Sequence, residues 1–129
     1  MLLTHHVFVY GTLRGGGSNS YRMDGSLFLS PATIRGRLYH IEWYPGLVCD
    51  PAADLIHGEI YQLGDELLTA LDEFEQCNPP AGEPILYRRV QVPAELPDGA
   101  QLLVWVWEWL GPVEESRRVH SGDWLAFFA

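Results

Sequence analysis

The sequence predicts an α+β domain, with about six strands on a small, strongly curved sheet and one main helix. Strand-like runs of β-branched and aromatic residues recur along the whole chain and are punctuated by Gly and Pro. Only one segment, Asp65 to Glu75, carries a clear amphipathic helix period. The 129 residues, 47% of them hydrophobic, suit one compact core. No linker, repeat or low-complexity tract divides the chain, so residues 1–129 are expected to form a single domain.

The first strand is expected at His6 to Tyr10, stopped by Gly11. A Gly-rich loop follows, in which Ser18 or Asn19 is placed to cap a short helix towards Met23. Thr33 to Ile41 reads as a strand interrupted by Gly36, and Tyr44-Pro45-Gly46 as a turn before a short strand, Leu47 to Cys49. Ile56 to Leu63 is a strand in which Gly58 marks a bulge or a close approach. Leu86 to Val92 and Leu102 to Trp109 complete the set. The last is apolar on both faces as far as Glu108, as a central or barrel strand would be, with Trp105, Trp107 and Trp109 on one side as core or a dimer face. Val113 to Val119 is expected as a short helix, and Trp124 to Phe128 as an aromatic tail that packs back.

Composition narrows the function. Seventeen acidic residues against eight Arg, with no Lys, give a formal charge of −9. Nucleic-acid binding draws its affinity from basic patches, so it is not expected here. Without Lys there is neither a lysine Schiff base nor a P-loop lysine. The start reads as neither a signal peptide nor a membrane span. Two Cys make no disulfide framework, and with the five His they match no zinc spacing. A soluble, cytoplasmic protein with no metal and no cofactor is expected.

On a helical wheel from Leu67, residues Leu68, Leu71 and Phe74 fall at about 100°, 40° and 340°, forming one apolar stripe. Glu73 falls near about 240°, towards solvent, and Asp72 at the border, near about 140°. Glu75 falls near about 80°, inside the stripe and in the last turn. Burial and the negative end of the helix dipole both disfavour its ionised form, which suits a general acid or base near neutral pH. Two plain alternatives stand beside this. The helix ends early and Glu75 is solvated, or Glu75 pairs with Arg88 or Arg89. Cys77 is a further nucleophile candidate, though no His lies near it in sequence. His40 and His57, each in a strand, could line a pocket.

Val7 to Gly17 is a strand entering a loop of bare backbone, whose successive N–H groups can form an anion-binding concavity. Its glycines are contiguous, which breaks the dinucleotide-binding spacing. Tyr10-Gly11-Thr12-Leu13-Arg14 with Asn19, Gly58-Glu59-Ile60-Tyr61, Leu71-Asp72-Glu73-Phe74-Glu75 and Tyr87-Arg88-Arg89 occur in that order. Together they resemble the γ-glutamylcyclotransferase-like family, which includes AIG2-like proteins and γ-glutamylamine cyclotransferases.

The resemblance implies a small mixed β-barrel with flanking helices and a cavity at one end. It implies Glu75 as the catalytic glutamate, and Tyr10, Gly11, Thr12, Leu13, Asn19 and Tyr87 around a small γ-glutamyl substrate. Arg89 is expected as pocket wall or support. The implied reaction cyclises the γ-glutamyl group to 5-oxoproline and releases an amine. Two alternatives use the same cavity: a non-enzymatic binding module, and removal of a γ-glutamyl protecting group from a biosynthetic intermediate. A homodimer is a further expectation. The Pro-rich stretch from Gln76 to Leu86 departs from the family pattern and is expected to shape the pocket rim.

Overall fold

The computed structural model describes residues 3–75, 77 and 80–127. Gln76, Asn78 and Pro79 of the Pro-rich stretch, and Phe128 of the tail, lie outside the described residues. Six strands form one mixed sheet: β1 (His5–Val9), β2 (Leu27–His40), β3 (Pro45–Cys49), β4 (Asp54–Leu63), β5 (Tyr87–Glu95) and β6 (Gln101–Trp109). Their order is β3-β2-β4-β1-β6-β5, and β5 returns to β2 through Thr33 and Glu95. Five strands therefore close into a barrel, with β3 hung on the edge of β2. Among the described residues, only β1 and β6 run parallel. This is the α+β barrel that the sequence led us to expect.

The period-2 pattern of each strand sorts its side chains between two cores. Phe8 and Tyr10 join Ile34, Leu38, Ile56, Ile60, Val104 and Val106 inside the barrel. Val7, Val9, Trp107 and Trp109 face the other way and pack with Leu68 and Leu71 of helix α1 (Asp65–Phe74). The tryptophan stripe is thus the helix side of β6. Gly58 marks a close approach: a Cβ there would strike the Val9 carbonyl oxygen and lie 2.6 Å from the Phe8 ring.

Several boundaries differ from the sequence reading. Strand β2 begins at Leu27 instead of Thr33, with a register shift between Phe28 and Ser30, and runs unbroken through Gly36. As far as Ala32 it pairs with β4 alone, where a proline such as Pro31 is tolerated. Pro45 and Gly46 belong to β3, and the bend lies at residues 42–44. Strand β5 continues through Pro93 to Glu95. The helix expected at Val113 to Val119 is only a 3-10 turn, Glu115–Arg117, after which the Val119 N–H donates to the Leu38 carbonyl at 2.7 Å. A second 3-10 turn, Ser20–Met23, lacks the side-chain cap expected from Ser18 or Asn19. Helix α2 is the single turn Trp124–Phe127, whose Trp124 is buried in the barrel core.

Candidate active site

A cavity of about 300 Å³ opens where the loop after β1 meets the end of α1 and the start of β3. Tyr10, Gly11, Thr12 and Leu13 form one wall, and Phe74, Glu75, Leu86 and Tyr87 another. Trp43, Tyr44 and Pro45 supply the third, over a floor of Phe8, Val9 and Trp107.

The loop wall is held in place by its own hydrogen bonds. Arg14 N–H donates to the Gly11 carbonyl at 3.1 Å, and Asn19 N–H to the Thr12 carbonyl at 2.8 Å. Asn19 Nδ2 also donates to Thr12 Oγ1 at 3.1 Å. Asn19 is therefore not part of the cavity lining but a brace behind it. Among the described residues, none of these loop bonds uses the N–H of Gly11, Thr12 or Leu13. Gly11 is required by proximity, because a Cβ there would come 2.5 Å from Pro45 Cγ.

Two tyrosines pin the walls together. Tyr10 donates its hydroxyl to the Trp107 carbonyl, and Tyr87 to the Pro45 carbonyl, each at 2.7 Å. Burial, assisted by nearby negative charge including that of Glu75, keeps both phenols neutral by raising their pKa.

Glu75 stands at the C-cap of α1 in helical geometry, its N–H donating to the Leu71 carbonyl at 2.9 Å. The wheel therefore still applies, and Glu75 faces the cavity while Glu73 is exposed. Among the described residues its carboxyl has no hydrogen bond and no ion pair. Burial, and secondarily the charge of Asp72, push its pKa up to about 7.

The arginines that could have neutralised Glu75 are committed elsewhere. Arg89 Nε donates to Asp72 Oδ1 at 2.9 Å, and Trp107 Nε1 donates to the same oxygen at 2.9 Å. Arg88 pairs with Glu108 at 2.8 Å. Arg14 pairs with Glu59 and with Asp123, each at 2.8 Å. No described arginine lines the cavity. An anionic group entering it would meet backbone N–H groups rather than a cation.

Other candidates fall away. Burial pushes the Cys77 thiol up to about 11, so it is not a thiolate at neutral pH. His40 and His57 do not line the cavity; His40 packs against Trp124 and Phe127, and the His57 N–H bonds the Gly122 carbonyl. Among the described residues no group of three His, Cys, Asp or Glu side chains is placed to hold a metal ion. None of their helices is long and apolar enough to cross a membrane. Sequence reasoning missed Trp43, Tyr44 and Phe74 as lining residues. An aromatic pair beside a turn was the available signal for the first two.

A small barrel with a carboxyl facing an apolar cavity beside a backbone-rich loop defines a small-molecule site with acid–base capacity. The family model described as γ-glutamyl cyclotransferase, AIG2-like, matches residues 7–126. The chain is 32% identical over 120 residues to the Escherichia coli K12 γ-glutamylcyclotransferase family protein YtfP, covering 92% of this chain and 95% of that one. It is 31% identical to the rat γ-glutamylaminecyclotransferase, covering 93% of this chain and 83% of that one. A crystal structure of a Pyrococcus horikoshii protein superposes with a TM-score of 0.74 at 25% identity, covering 97% of this chain and 93% of that one. The protein belongs to the AIG2-like γ-glutamyl cyclotransferase family and is an enzyme of that type.

Proposed function

We propose that this enzyme cyclises a γ-glutamyl amide to 5-oxoproline and a free amine, with Glu75 as the proton shuttle. The observation that carries the reading is a carboxyl with no protein partner among the described residues, facing the cavity, where burial pushes its pKa up to about 7.

The nucleophile is tethered to its target, since the substrate's α-amine attacks its own γ-carbonyl, and proximity is built in. What remains is moving protons and stabilising charge. The α-ammonium first gives a proton to the Glu75 carboxylate. The freed amine then forms the ring C–N bond, and charge develops on the carbonyl oxygen. As the original amide C–N bond breaks, Glu75 returns its proton to the departing nitrogen. The ring nitrogen loses its second proton to solvent, from which the released amine regains one.

The N–H groups of Gly11, Thr12 and Leu13, unused by the hydrogen bonds among the described residues, would receive the substrate carboxylate or the developing oxyanion. Tyr10 and Tyr87, whose hydroxyls are occupied with backbone carbonyls, shape the wall. Asn19 acts behind the loop, holding Thr12. Screening γ-glutamyl amides and peptides for 5-oxoproline formation tests the proposal. Release from at least one compound is expected, and release from none overturns it.

A further inference from the structure

Resting on the cyclotransferase reading, we infer that the leaving amine suited to this site is an aryl-alkyl amine without a carboxylate. The cavity has two chemically different ends. Its deep end holds Tyr10, Leu13 and Tyr87, all buried, together with the loop N–H groups and Glu75. A glutamyl group bound there directs only the substituent of its amide nitrogen outward.

The outer end is built of rings. Trp43 lines the cavity yet is 63% exposed, and it stands edge-on to Tyr44 with centroids 5.0 Å apart. Tyr44 in turn contacts Trp109 at 6.2 Å, so the exposed indole rests on a braced base. Phe74 and Leu86 complete this apolar lip. An aromatic platform at a pocket mouth gains most when a second flat apolar group covers it.

Charge at the lip argues against a carboxylate on the leaving amine. Glu42 precedes Trp43 and acts electrostatically on Tyr44. Arg22 covers the Phe74 ring at 4.1 Å, but its Nε is tied to Asn19 Oδ1 and it is not part of the lining. A carboxylate there would be desolvated against rings, with no cation among the described lining residues to pair with.

The test compares kcat/KM for 5-oxoproline release from four γ-glutamyl compounds: the phenethylamide, the methylamide, the phenylalanine conjugate and the putrescine conjugate. The phenethylamide is expected to exceed each of the others by about tenfold or more. Trp43→Ala should lower the phenethylamide value about fivefold more than the methylamide value, and Trp43→Phe should restore most of the difference. Equal turnover of all four overturns this inference and leaves the cyclotransferase reading standing. So does preference for the phenylalanine conjugate, which would give Arg22 the recognition, or for the cationic putrescine conjugate. A preference that survives Trp43→Ala overturns it as well. Turnover of none of the four, nor of any compound in the wider screen, overturns both readings.

Discussion

Asp72 and Glu75 occupy the last turn of α1 and meet opposite fates. Asp72 captures Arg89 and the Trp107 indole, each at 2.9 Å, whereas Glu75 faces the cavity with no protein partner among the described residues. The paired carboxylate holds the local cation and leaves its negative charge beside the unpaired one. Burial first, and the neighbouring Asp72 charge second, push the Glu75 pKa up to about 7.

Replacing Asp72 with Asn should therefore move the acid limb of the pH–rate profile to lower pH. The substitution removes the neighbouring negative charge and frees Arg89, and both changes favour ionised Glu75. Losing the half-buried ion pair should also cost about 1–3 kcal/mol of stability. A pH–rate profile and a denaturant melt measure the two effects separately.

In the wild type, kcat/KM should fall about tenfold per pH unit below the Glu75 pKa, since proton acceptance needs the carboxylate. Stability should move in the opposite sense. Because the folded pKa lies above the unfolded value, Glu75 penalises folding least below about pH 4.5, and the penalty grows as pH rises to about 7. Melts of the wild type and Glu75→Gln between pH 4 and 8 should diverge with rising pH. The variant should be the more stable at pH 8, by roughly 1–3 kcal/mol.

Gly11→Ala should damage the site through packing. Its new methyl would sit 2.5 Å from Pro45 Cγ, the residue whose carbonyl Tyr87 holds. A cost of about 1–3 kcal/mol and a reduced kcat/KM are expected, read by thermal melt and by initial rates.

Asn19→Ala should raise KM more than it lowers kcat, because it releases the Thr12 hydroxyl behind the loop wall without touching Glu75, while the Asn19 N–H bond to the Thr12 carbonyl is kept. A stability loss of about 1 kcal/mol accompanies it. An equal loss in kcat at unchanged KM would place Asn19 elsewhere in the mechanism.

Strand and helix identity could be read from the sequence because each carries its own period, as β6 and α1 do. Barrel closure had no such period and came from the family resemblance alone, since β2 and β5 meet through the single pair Thr33–Glu95, which leaves no local trace. The early start of β2 was hidden by Pro31, whose tolerance depends on which edge lacks a neighbour. At the site, the wheel placed Glu75 on the buried side but left open a pairing with Arg88 or Arg89. Only the fold shows that Glu108 and Asp72 take those arginines. Trp43 received no role from the sequence, because exposure at a cavity mouth is a tertiary property. The missing Lys and the −9 charge gain meaning in the same way. They coexist with a lining that, among the described residues, offers an anion backbone N–H groups and no cation.

The most direct measurement is 5-oxoproline release by the wild type, Glu75→Gln and Glu73→Gln on a compound that the wild type turns over, with 5-oxoproline affinity measured alongside. Glu75→Gln should stay folded and bind the product while losing about 10²–10⁴-fold in kcat, and Glu73→Gln should match the wild type. Retained turnover in a folded Glu75→Gln protein would contradict the assignment of Glu75 as the proton shuttle.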